Sequence, residues 1–203
     1  MLRQLFAAIS AGIMIAIGGC VYLAAESRVV GAVFFSVALI SICYKGYGLF
    51  TGRVGYFPDN CSKKELCGLL MTLLGNFLAT ALVGTLVCYA LPALPAVAFA
   101  SVAAKLATPW YATLVRAVLC GVLMYLAVSI YREKNTPLGI LFCVPTFILA
   151  GFEHSIADMF YIAAAGEYSF AALGFLLLVI AGNAVGGMLL PLLARVGKTE
   201  DKK

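Results

Sequence analysis

Long apolar runs alternate with short charged stretches along this chain, and the alternation predicts about six membrane-spanning helices. The first run covers residues 5–25, after which Glu26 and Arg28 intervene. The second, residues 29–44, is short for a span and stops at Lys45. Residues 66–104 carry no charge; they predict a third span ending near Pro92 and Pro95, then a small-residue loop up to Lys105. The fourth span covers residues 109–131 and holds Arg116. The fifth starts near Pro137 and meets Glu153 and His154 before its end; the sixth covers residues 168–194, leaving a short tail over residues 196–203. The second and fifth spans are predicted to be broken helices, interrupted at Lys45-Gly46-Tyr47-Gly48 and at Gly151-Phe152-Glu153-His154.

The two halves of this pattern echo one another. Leu74-Gly75-Asn76 in the third span matches Ala181-Gly182-Asn183 in the sixth, with small residues following each pair. One transmembrane domain over residues 1–203 is expected, with a first repeat at about residues 1–91 and a second at about 105–195. Three spans per half make the repeats inverted, a layout in which broken helices bring backbone groups and helix ends to the membrane midplane. Alternatively, Gly75, Asn76, Gly182 and Asn183 serve helix packing, as small residues do in membranes.

Composition narrows the class. Residues 64% hydrophobic and 11% charged, against about 25% charged in soluble domains, leave no room for a sizeable soluble unit. The first run lacks a cleavage site and is expected to be the first helix of the protein. Arg3, Arg53, Lys63, Lys64, Arg132, Lys134, Arg195, Lys198, Lys202 and Lys203 fall on one side of the spans, with Arg28 opposite. That bias explains the net charge of +5 without nucleic acid, and it predicts both termini in the cytoplasm of a multi-pass inner (plasma) membrane protein. The seven cysteines form no CxxC pair, so neither a zinc site nor a disulfide framework is indicated.

Ionisable groups at membrane depth are costly and mark function. Glu153, His154 and Asp158 fall within about a turn and a half of helix, and His154, the single histidine, can exchange protons with a weak acid near neutral pH. A metal site is the rival use of this trio, though one histidine and two carboxylates make a poor zinc set. Lys105, alone in an uncharged stretch, is either a collector of anions at a pore mouth or a solvated lysine.

At these residues the chain resembles the formate–nitrite transporter family. Gly151-Phe152-Glu153-His154-Ser155-Ile156-Ala157-Asp158-Met159-Phe160 is similar to that family's signature around a central histidine, and Leu49-Phe50-Thr51-Gly52 to its loop breaking the second helix. Lys105, Arg116, Cys120 and Leu126-Ala127-Val128 follow the family's fourth-helix pattern, and Gly182-Asn183 with Gly186-Gly187 its sixth. The resemblance implies an all-α, aquaporin-like fold of six helices in two inverted repeats, assembled as a homopentamer with a pore in each subunit. It implies passage of formate, nitrite, hydrosulfide or a similar anion, often with a proton, and no organic cofactor; nor does the chain carry a nucleotide-binding loop. It makes His154 the central pore histidine, Lys105 the anion-attracting lysine, and Thr51 the residue facing His154. It places Leu39 and Met124, with Leu49 and Phe50 nearby, at an outer constriction, and Phe35 and Phe147 at a cytoplasmic one. The chain departs from the family at Asp158 and Gly121, each standing for an asparagine, at Gly48 and Arg53 around the loop, and at Lys45, an added charge. A channel for neutral solutes, or a membrane enzyme or metalloprotein built on Glu153, His154 and Asp158, are the alternatives.

Overall fold

A computed structural model describes residues 2–200, with side chains to residue 197, and the described chain is helices joined by short turns. In order these are α1 (Leu2–Ala24), α2 (Arg28–Lys45), α3 (Phe50–Arg53), a 3-10 segment (Val54–Asn60), α4 (Lys63–Ala90), α5 (Leu94–Leu106), α6 (Trp110–Lys134), α7 (Leu138–Leu149), α8 (Ser155–Ala165) and α9 (Phe170–Glu200). The helices α1, α2, α4, α6 and α9 are each long and apolar enough to cross a bilayer. α7 and α8, end to end, supply the sixth crossing.

Both predicted breaks are present and share one geometry. α2 ends at Gly46 in the left-handed region (φ 67°), with the Gly46 and Tyr47 amides donating to the Cys43 and Ile42 carbonyls. α7 ends the same way, at Gly151 (φ 73°), whose amide and that of Phe152 donate to Ile148 and Phe147. Glycine adopts this backbone conformation without a Cβ penalty, and the two amides satisfy carbonyls that a helix end leaves open.

The segment before Lys105 is not a loop. Residues 94–106 form the helix α5, packed on α8 through buried Leu94, Ala98 and Val102 at a four-residue spacing. Pro95 sits in its first turn, where a proline lacks no needed donor; it starts the helix rather than ending one. α9 likewise continues past residue 194 into the predicted tail, and residues 201–203 lie outside the described part.

α1 packs on α4 and α6 on α9 at close range. A Cβ added to Gly75 would lie 2.6 Å from Ala8 Cβ, and one added to Gly182 would lie 2.5 Å from Ala117 Cβ. Gly121, where the family carries asparagine, abuts the Asn183 carbonyl, so the α6–α9 crossing has no room there for any side chain. Large apolar residues such as Leu70, Leu82, Phe99, Phe142 and Leu177 are exposed on the outer surface, as lipid-facing and subunit-facing positions require. Tyr89, Trp110, Tyr111 and Tyr168 are exposed at the ends of α4, α6 and α9 nearest Arg28, where amphipathic rings mark a membrane–water boundary.

Candidate pore and its polar cluster

Each break is held by one asparagine. Asn76 Oδ1 accepts from the Phe50 amide at 2.9 Å, and its Nδ2 donates to the Ala8 and Gly48 carbonyls at 2.8 Å. Asn183 repeats this with the Ser155 amide and the Ala117 and Glu153 carbonyls, all at 2.8 Å. Interrupting a helix in a membrane frees backbone groups that no water can satisfy; each amide supplies an acceptor and a donor to those groups and a second donor to a carbonyl of the neighbouring helix, α1 or α6. The Gly75-Asn76 and Gly182-Asn183 pairs therefore do more than the packing expected of them: the glycines allow the close approach, and the asparagines anchor the broken helices. The paired hydrogen bonds are what an inverted duplication leaves.

The two repeats differ at their centre. Leu49 and His154 both occupy the N-cap of the helix that restarts after the break, α3 and α8 respectively, but only His154 caps with its side chain. His154 Nδ1 accepts from the Ala157 amide at 3.2 Å, and Nε2 lies 2.8 Å from Thr51 Oγ1. A nitrogen that accepts from an amide carries no proton, so in the neutral ring the hydrogen is assigned to Nε2 and points at Thr51. Phe147 stacks on the imidazole, ring centroids 5.6 Å apart at 24°. His154 and Thr51 are 3% and 1% exposed.

Two cavities approach this pair from opposite faces. One, of about 310 Å³, contains the faces of Phe35, Phe147, His154, Lys105, Glu153 and Asp158, and opens beside Arg28 and Arg116. The other, of about 330 Å³, is lined by Leu39, Leu49, Gly52 and Val128, and opens among Arg53, Tyr131 and Arg132. Phe35 and Leu39, one turn apart on α2, face different cavities, and Thr51 lies between Leu49 and Gly52. Of the residues expected at the two constrictions, Phe35 and Phe147 share a cavity with Lys105 and Arg28, and Leu39 and Leu49 lie toward Arg53 and Arg132. The direction of α2 fixes this, because it starts at Arg28 beside the first cavity and ends with Tyr44 against Tyr131 beside the second. Phe50 and Met124 are buried in the surrounding core and line neither cavity.

Lys105, in the last turn of α5, does not present a free ammonium. Its Nζ donates to the Glu153 carboxylate and lies 3.0 Å from Asp158 Oδ1. It also lies 5.8 Å from the centre of the Tyr161 ring. Glu153 and Asp158 are 2% and 1% exposed, and two such carboxylates cannot stay buried and ionised without a counter-charge. Asp158 is therefore paired with a cation, and the cation is Lys105, whereas Lys45 is exposed in the last turn of α2. With both imidazole nitrogens engaged and both carboxylates turned to the ammonium, the trio has other commitments than a shared metal ion. Arg28, Tyr22 and Tyr161 join the cavity without having been singled out in the sequence, because only the folding of α1, α2 and α8 around it brings them there.

On the terminal face, Arg53 donates to Thr72 Oγ1 and Glu65, each at 2.9 Å, so the residue that departs from the family's loop ties α3 to α4. Arg132 lies 4.1 Å from the centre of the Tyr56 ring.

Comparison with known proteins agrees with this geometry. The formate/nitrite transporter family matches residues 1–196. The nitrite transporter NirC of Salmonella typhimurium strain LT2 is 29% identical over 180 residues, a match spanning 79% of this chain and 66% of that protein. A pentameric formate channel solved with formate bound superposes with a TM-score of 0.82 at 21% identity, covering 96% of this chain and 95% of that one. An ion channel of the same family gives a TM-score of 0.75 at 23% identity, over 93% and 85% of the two chains. With a family match over nearly its whole length, and a pore-like path between inverted repeats, this multi-pass membrane protein belongs to the formate/nitrite transporter family.

Proposed function

We propose that the chain passes a small monovalent anion of the formate, nitrite or hydrosulfide class, with a proton, through a pore in each subunit of a homopentamer. The observation that carries this is the pair of cavities separated by an apolar neck whose polar contact is Thr51–His154. A bare anion entering that neck loses its hydration at great cost, whereas the neutral acid crosses far more cheaply. The neck therefore favours an anion that acquires a proton before crossing. The His154 Nε2–H and the Thr51 hydroxyl offer donors to a passing acid or anion at the narrowest point. A second proton on His154 would go to Nδ1 and displace the Ala157 amide, so protonation of the ring is tied to loosening the first turn of α8.

The charge bias supports an orientation with both termini in the cytoplasm of the plasma membrane, since Arg53, Lys63, Arg132 and Lys134 gather at one face. The cavity holding Lys105 then opens outward. The test is uptake by proteoliposomes of the purified protein from a panel of formate, nitrite, hydrosulfide, acetate and glycerol, with a pH dye inside. Anion-dependent uptake accompanied by internal acidification is expected. Glycerol uptake with none of the anions would replace this proposal with a neutral-solute channel.

A further inference from the structure

We infer that Arg116, assisted by Arg28, is the anion-capturing group of the outer cavity, and that Lys105 is the counter-ion of a closed carboxylate cluster. The inference rests on the anion-channel proposal and deepens it.

The charges around the cavity decide the matter. Its lining includes three cations, Arg28, Lys105 and Arg116, and two carboxylates, Glu153 and Asp158. Lys105 contacts both carboxylates, so the buried group, taken with its ordinary ionisation, carries one negative charge more than positive. A cavity floor of that sign repels an arriving anion. The two arginines reverse the balance of the whole lining to one net positive charge.

Neither arginine is spent elsewhere. Arg53, Arg132 and Arg195 are bound to Glu65, the Tyr56 ring and Asp59 respectively. Among the described residues, no hydrogen bond or ion pair engages Arg28 or Arg116. Arg116 is part-buried on α6, about 9 Å along the helix from Trp110 at the membrane boundary. An unpaired guanidinium at that depth is costly unless it faces water or an anion, and Arg116 faces the cavity, which has room for either. Ser101, which also lines the cavity, has no hydrogen-bond partner among the described residues and can donate to an anion held there.

The arrangement makes opposite predictions for two single substitutions. The experiment measures initial nitrite uptake into proteoliposomes against concentration, at low and at high ionic strength, with pentamer content checked by size exclusion. R116Q should raise the half-saturating nitrite concentration about three- to tenfold at low ionic strength, and the difference should shrink at high salt. R116K should stay near the parent, and D158N, which removes one negative charge from the floor, should lower the half-saturating concentration. An R116Q protein with parental uptake at low salt overturns the assignment while leaving the channel proposal in place. So does an R116K protein as impaired as R116Q, which would mean a packing role. A parent that passes no nitrite or other panel anion removes the channel proposal itself.

Discussion

Lys105, Glu153 and Asp158 set the character of the cavity they line, because their charges are buried and settle against one another. Removing the cation strands two carboxylates in a medium that solvates them badly. Breaking such a buried pair costs about 3–5 kcal/mol, and Lys105→Met should therefore lower the thermal stability of the detergent-solubilised protein markedly. The triple variant Lys105→Met, Glu153→Gln, Asp158→Asn should recover most of the loss; equal melting of parent and Lys105→Met would show that the cluster is not held by charge. Asp158 is the residue with the clearest individual signature. It shares Lys105 with Glu153 on the wall that carries His154 and Tyr161, so its charge acts on every proton exchanged there. Asp158→Asn should shift the profile of anion flux against pH without abolishing flux, and superimposable profiles would show that the carboxylate has no electrostatic hold on the pore. The presence of Glu153, His154 and Asp158 at membrane depth was legible from the sequence. Their partner was not, because Lys105 lies 48 residues from Glu153 and reaches it only through the packing of α5 on α8.

At the level of helices, the two asparagines are the joints of the fold. Each satisfies two backbone groups that a broken helix leaves open and ties them to a carbonyl of a neighbouring continuous helix, so neither can be replaced by an apolar side chain of similar size without orphaning those two. A buried group left unpaired costs about 1–3 kcal/mol, and Asn76→Leu and Asn183→Leu should each destabilise the protein by several kcal/mol in thermal or denaturant melts. The duplicated geometry predicts losses of similar size for the two; a near-neutral Asn183→Leu would disprove its anchoring role. The glycines beside them act through space: the carbonyl of Val118 occupies the place of a Cβ at Gly186, so Gly186→Ala should reduce the yield of folded protein. The repeated Gly-Asn pairs and the glycine breaks could be read along the chain because they are local signals recurring in corresponding places. The helix α5 could not, since its opening proline is equally a helix stop and a helix start, and only burial of Leu94, Ala98 and Val102 decides between them. The placement of Phe35 and Leu39 in different cavities has the same origin: spacing along α2 shows that they are one turn apart, but only the fold determines which cavity each meets.

At the scale of the molecule, the outer surface is apolar between two charged faces, and the interior path is polar at its centre and at both mouths. Such a molecule associates through surface packing instead of expulsion of water, and a pentamer should persist in mild detergent; a particle of two or four subunits would contradict the proposed assembly. Under the proposed function, the permeating anion or its acid passes the Thr51–His154 contact inside each subunit. His154→Asn tests it most directly, because asparagine keeps the N-cap acceptor for the Ala157 amide while removing the ring that closes the neck. The measurement is the ratio of nitrite to chloride flux into proteoliposomes bearing equal amounts of pentamer. With the ring gone, water enters the neck and a bare anion crosses more readily, so the ratio should fall as chloride flux rises. A His154→Asn protein whose nitrite and chloride fluxes both match the parent would place the conducting path somewhere else.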